Sequence, residues 1–109
     1  MLFRSPNECY AVEAAAALTA ILPEGAVAWV ATDETERDAN GRWLMYVWTN
    51  DGMLVNAFLA SSGYVRPERV QLNDEHWALI AQGAEQAARR GVGLWGDCVA
   101  DAPAADPEK

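Results

Sequence analysis

The stretch from Arg37 to Gly63, RDANGRWLMYVWTNDGMLVNAFLASSG, constrains this chain more than any other part of it. Trp43 to Trp48 is an unbroken apolar run of aromatic and branched residues, which reads as a strand buried on both faces. Thr49-Asn50-Asp51-Gly52 follows as a tight turn, because Asp-Gly accepts the positive φ angles that hairpins need. Val55 to Ser62 then reads as a short helix closed by Gly63. Ahead of the strand, Asp38-Ala39-Asn40-Gly41-Arg42 is a polar loop that presents one arginine to solvent at the strand's start.

The flanking sequence supplies two further helices and one more strand. Ser5-Pro6-Asn7 is a candidate cap for a helix over residues 8–22, where alanines 14–17 favour helix strongly and Val12, Leu18, Ile21 and Leu22 fall mostly on one side. Pro23 forbids continuation. A strand over 26–32, around Val27, Trp29 and Val30, should pair antiparallel with the strand at 42–49, since the connection is too short for a crossover. Residues 33–40, rich in acids, read as a solvated loop. Residues 64–72 read as irregular around Pro67. Asn73 or Asp74 caps a last helix over 74–90, with Trp77, Ile80, Ala84 and Ala87 on one face. Arg89-Arg90-Gly91 ends it, basic residues against the dipole and then glycine.

Composition bounds what such a chain can do. With 109 residues and 51% of them apolar, it holds one domain over residues 1–98, and the acidic segment 99–109 reads as a disordered tail. No run of about 18 apolar residues is present, so no membrane partner is expected. Met1 to Pro6 is too short and too polar for a signal peptide. A net charge of −8 argues against broad attraction to phosphate backbones.

The central block resembles the staphylococcal-nuclease (thermonuclease) family. The residues that carry the resemblance are Asp38, Gly41-Arg42, Leu44 to Trp48, Asp51-Gly52, Val55-Asn56, Leu59 and Gly63. Glu8-Cys9-Tyr10 with Glu13-Ala14 is similar to the opening of that family's first helix, and Gly93-Leu94-Trp95-Gly96 to its closing segment. The likeness covers roughly residues 7–98. It implies an α+β, partial OB-type fold with three helices and a reduced antiparallel sheet, because the family's first three barrel strands precede its first helix. Only about six residues precede that helix here, so an N-terminally truncated domain is expected, with Phe3-Arg4 as a conceivable remnant of the third strand.

The resemblance implies calcium-dependent phosphodiester hydrolysis of DNA or RNA for intact members. In this chain it carries over one catalytic arginine, Arg42, and no calcium ligand, so the chain alone is expected to hold no metal and to be inactive. Nucleic acid is the implied partner, bound weakly. The alternatives are a non-catalytic OB-type binding module and a structural fragment without a role of its own. Arg37 and His76 read as solvated surface residues. No serine or cysteine has a credible catalytic partner, and two cysteines 89 positions apart make no zinc site.

Family members with cysteines where Cys9 and Cys98 stand look like secreted proteins that tie the last segment to the first helix. A bridge here would imply an oxidising, extracellular or periplasmic compartment; the other reading is a pair of reduced thiols. Trp29, Trp43, Trp48, Val27, Val30, Met45 and Val47 exceed what three short helices can cover. An apolar patch on the sheet, and self-association through its edge, are therefore expected.

Overall fold

Leu44, Tyr46, Val55, Leu59, Val65, Ile80 and Leu94 are the large buried apolar residues, and the elements are arranged to bring them together. The computed structural model describes residues 9–70 and 72–98. In chain order its elements are α1 (Ala11–Ile21), β1 (Ala28–Arg37), β2 (Trp43–Thr49), α2 (Val55–Ser61), α3 (Trp77–Arg90) and the single turn α4 (Leu94–Asp97). Among the described residues the fold is thus α+β, with a two-stranded sheet and four helices. The expected cap at Ser5-Pro6-Asn7, the pair Phe3-Arg4 and the tail 99–109 lie outside the described residues.

The two strands pair antiparallel, with Trp29 opposite Trp48, Val30 opposite Val47 and Ala31 opposite Tyr46. β2 is not buried on both faces, as its composition suggested. Leu44 and Tyr46 are buried while Trp43 is half exposed, an alternation that follows because the helices cover one face only. The turn after β2 forms as its sequence requires: the Gly52 N–H donates to Thr49 O at 2.9 Å, and the Thr49 hydroxyl donates to Asp51 Oδ1.

β1 is longer than expected and takes in the acids that read as a loop. Asp33 and Thr35 explain the difference. The Asp33 carboxylate accepts from the Tyr46 hydroxyl at 2.8 Å and from the Glu75 N–H at 3.1 Å. The Thr35 N–H donates to Asn73 Oδ1 at 2.7 Å, and Asn73 Nδ2 donates to Thr35 O at 2.8 Å. One buried amide side chain thus bonds the strand as a neighbouring strand would, where the β1–β2 register shifts between Thr32 and Arg37. Asn73 is consequently no helix cap, Asp74 pairs with Arg69, and α3 starts at Trp77 rather than near residue 74.

Asn56 does the same for β2. Its Oδ1 accepts from the Val47 N–H at 2.8 Å and its Nδ2 donates to Met45 O at 3.1 Å, with Asn56 itself buried. Buried amides must be satisfied in this way or cost heavily.

α2 and α3 form the core with the inner face of β2, through Val55, Leu59 and Ala60 from one helix and Ile80 and Ala84 from the other. α1 contributes least. None of its residues is fully buried, although Ala14, Ala17, Leu18 and Ile21 rest against the core. It starts at Ala11, three residues after the expected position, behind Tyr10 at φ 72. Cys9 is disulfide-bonded to Cys98 with 6.0 Å between the Cα atoms, so the bridge ties the front of α1 to the end of α4.

The glycines that close α2 and precede α4 meet. Leu94 N–H donates to Gly63 O at 2.8 Å. A Cβ on Gly93 would lie 2.2 Å from Gly63 O, and one on Gly63 would lie 2.4 Å from Val92 O. Both have φ in the left-handed region, 79° and 62°, so neither position accepts a side chain.

Candidate functional site

Arg42 sits at the tip of the β1–β2 hairpin, and Asp38 builds the turn beneath it. Asp38 Oδ1 accepts from the N–H of Asn40 at 2.9 Å and of Arg42 at 2.8 Å, and Oδ2 accepts from Arg42 Nε at 2.8 Å. The Asp38 N–H donates to Arg42 O at 2.9 Å, and the Gly41 N–H to Asp38 O at 3.0 Å. Gly41 lies at φ 83, which the turn needs and a residue with a Cβ resists. The Arg42 backbone N–H, its guanidinium and the Asn40 N–H hold the Asp38 carboxyl below the usual carboxylate range.

The result is a guanidinium oriented through Nε and otherwise open. The Arg42 side chain is 58% exposed and that of Asp38 only 13%. With Nε engaged, Nη1 and Nη2 remain as donors in the fork geometry that suits two oxygens of one anion.

Arg37 is exposed, as its sequence context suggested, and is also held in place. Its guanidinium carbon lies 3.9 Å from the centre of the Trp43 ring, and Nη1 donates to Gly41 O at 3.3 Å. A second cation is thereby anchored beside the same turn. The side chains of Arg37 and Trp43 belong to this tip, and sequence reasoning did not assign them to it.

Among the described residues, no three His, Cys, Asp or Glu side chains come together as a metal site. Asp38 spends both its oxygens on the turn. The described residues at this tip therefore do not fit the calcium ion that the family resemblance implies. They can bind and orient an anion; they supply no base at the tip to activate water. A groove of about 470 Å³ between α2 and α3 is lined by residues such as Met53, Phe58, Leu79 and Gln82 and carries no titratable side chain.

His76 lies just ahead of α3, half buried rather than on the surface. Its ring meets Tyr46 edge-on at 4.5 Å and Trp48 at 5.3 Å. Beneath it the Asp33–Tyr46 bond closes the sheet onto the segment before α3. Burial and the Asp33 carboxylate push the Tyr46 hydroxyl up to about 12, from the ordinary 10.0. The Tyr46 hydroxyl and the Glu75 N–H hold Asp33 below its ordinary 3.8.

The signs follow from linkage. Tyr46 favours its neutral form when folded, so its stabilisation is full below pH 10 and lost as pH rises towards 12. Asp33 favours its charged form, so its stabilisation holds above pH 3.8 and is lost as pH falls through the lower folded value. Thermal unfolding followed by circular dichroism should give a midpoint that falls above pH 10. Tyr46→Phe should unfold at lower temperature at neutral pH and show a flatter alkaline limb.

Fold and site together define a small α+β domain whose paired strands end in an exposed, carboxylate-oriented arginine. A family model for staphylococcal nuclease homologues matches residues 3–97. The chain belongs to that family. It is 35% identical over 63 residues to the thermonuclease of Staphylococcus intermedius, an alignment covering 58% of this chain and 37% of that protein. The chain therefore spans little more than a third of the length of this curated relative.

Proposed function

We propose that this chain is a nuclease-type domain that engages the phosphodiester of a nucleic acid through Arg42 and does not hydrolyse it unaided. The observation that carries the reading is the Asp38–Arg42 turn, which fixes Nε and leaves Nη1 and Nη2 to an anion. Membership of the nuclease family supports phosphodiester as the ligand. The same geometry that would stabilise charge on a phosphate in a transition state also binds it in the ground state. Catalysis asks for a base and a charge sink as well, and removing such interdependent groups together abolishes nearly all rate enhancement.

With a net charge of −8, binding is local, weak and dependent on low salt. The disulfide fits an extracellular or periplasmic setting, which we propose as the protein's compartment. Among the described residues, no helix is long and apolar enough to cross a membrane.

Trp43, beside Arg37 at the tip, is a fluorescent reporter for the test. Titration with a single-stranded oligonucleotide at low salt should show saturable binding. Arg42→Ala should weaken it about tenfold or more, the loss expected for a charge-assisted pair of hydrogen bonds, and should lower the salt slope by about one ion. Adding calcium should produce no cleavage above background. Binding that is indifferent to Arg42→Ala would remove the phosphate-site reading. Calcium-stimulated cleavage that depends on Arg42 would remove the second half of the proposal.

A further inference from the structure

The turn that orients Arg42 contains Asn40-Gly41, the chain's one Asn-Gly pair. An asparagine loses its side-chain amide when the backbone nitrogen of the next residue closes onto its Cγ. Glycine permits this most readily, because it has no Cβ in the way and the widest backbone freedom.

Four asparagines lie among the described residues, and the fold treats them unequally. Asn56 and Asn73 are buried, and each side-chain amide both accepts from and donates to backbone. Neither can turn its Cγ towards the next nitrogen without giving up two bonds. Asn50 is exposed, but the side chain of Asp51 obstructs the approach. Asn40 is exposed, and its side-chain amide has no partner among the described residues. Nothing lies within 4 Å of where a Cβ on Gly41 would stand.

We propose that Asn40 is a site of spontaneous deamidation, restrained by the Asp38 turn, whose conversion turns down the anion site at Arg42. The Gly41 nitrogen gives up its proton and bonds to Cγ of Asn40. The Cγ–Nδ2 bond breaks, and ammonia leaves with that proton. Water then opens the cyclic imide. Opening at Cγ leaves an ordinary aspartate, and opening at the main-chain carbonyl leaves an isoaspartate joined to Gly41 through its side chain. Water is the only reagent consumed.

The restraint lies in the hydrogen bonds of the turn. The Gly41 N–H is directed at Asp38 O, 3.0 Å away, and not at the neighbouring side chain. The Asp38 carboxylate fixes the backbone on both sides, accepting from the N–H of Asn40 at 2.9 Å and of Arg42 at 2.8 Å. This turn must open before the nitrogen can attack. The residue that orients Arg42 thus also protects the amide beside it. Either product sets a carboxylate two residues before Arg42, and isoaspartate adds a backbone atom to the closed turn. The effect on binding rests on the Arg42 reading above; the chemistry at Asn40 does not.

The test holds the whole, oxidised chain at body temperature in mildly alkaline buffer, beside a free peptide of residues 37–43. Peptide mapping by mass spectrometry should show the exchange of amide for acid at Asn40, slower than in the free peptide, with Asn50, Asn56 and Asn73 intact. Ammonia should appear in equal amount. A ring closed at Asp51-Gly52 would release water instead, so it leaves this readout untouched. Asp38→Ala should convert Asn40 about tenfold faster, as expected for the loss of its bonds to backbone. Matching circular dichroism shows that its fold is intact. Converted protein, separated by anion exchange, should bind the single-stranded oligonucleotide about threefold or more weakly, the effect of one like charge about 6 Å away in water. An Asn40 still intact after many times the peptide's conversion time overturns the proposal. So does an Asp38→Ala rate equal to that of the wild type. Equal binding by converted and fresh protein overturns the coupling to Arg42. Fresh protein whose binding ignores Arg42→Ala removes the earlier reading and leaves the Asn40 chemistry standing.

Discussion

Replacing both Cys9 and Cys98 by serine should lower the free energy of unfolding by about 4–5 kcal/mol. The bridge joins residues 89 apart, and in the chain-entropy model a loop of that length costs the unfolded state this much freedom. A domain of this size has only about 5–15 kcal/mol in total, so the double variant should sit at the edge of folding. Urea denaturation of oxidised and variant protein measures the difference. The loss should not be uniform. α1 has no fully buried residue and is tied to the body of the protein chiefly by the covalent link in front of it and the contacts of Ala14, Ala17, Leu18 and Ile21. Hydrogen exchange should therefore show its amides losing protection first, while α2 and α3 retain theirs. A variant within 1 kcal/mol of the wild type would mean that α1 docks by packing alone.

Gly93→Ala should be the most damaging single substitution outside the bridge, costing about 2–6 kcal/mol. Two penalties combine. A left-handed φ costs a residue with a Cβ about 1–3 kcal/mol, and forcing a methyl into backbone costs about the same again. The atom it would strike is Gly63 O, 2.2 Å away, which already accepts the Leu94 N–H. Neither group can yield without breaking that bond. Gly91→Ala provides the comparison. Gly91 also has a left-handed φ, 65°, yet nothing lies within 4 Å of its Cβ position, so only the backbone penalty applies. The two variants, unfolded in urea side by side, separate strain from collision. Equal losses would mean that the Gly63–Gly93 approach opens readily.

That contact also shows what the sequence made legible. Gly63 and Gly93-Leu94-Trp95 stood out as separate closing signals, each for its own helix, and nothing in a linear reading joined them. Local chemistry was readable: the Asp-Gly turn after β2, the short α2, the amphipathic α3 and the antiparallel pairing of two neighbouring strands. The bridge, too, could be expected, but only from likeness to relatives.

What escaped reading depends on side chains that bond backbone far away in the chain. Asn73 looked like a helix cap because asparagine before an amphipathic run usually is one. Its amide instead reaches Thr35, 38 positions back, and the acids between Thr32 and Arg37 become strand. His76 looked solvated among acids because the tyrosine and tryptophan that flank its ring lie some 30 residues earlier on β2. At the hairpin tip, Arg42 was visible from its motif. Arg37 was not, since its role comes from a stacking contact with Trp43 that charge patterning does not encode.

The Cys9–Cys98 link has a mechanical meaning as well. Any segment joined before Cys9 or after Cys98 pulls on the fold through those two residues, and they are covalently one point. Tension applied across the chain passes through the sulfur–sulfur bond and bypasses everything between. Helices and sheet inside the loop bear no load, however hard the ends are drawn, until the bond is reduced. The protein would then change abruptly from a rigid node of fixed length to a tether that pays out the slack of 89 residues.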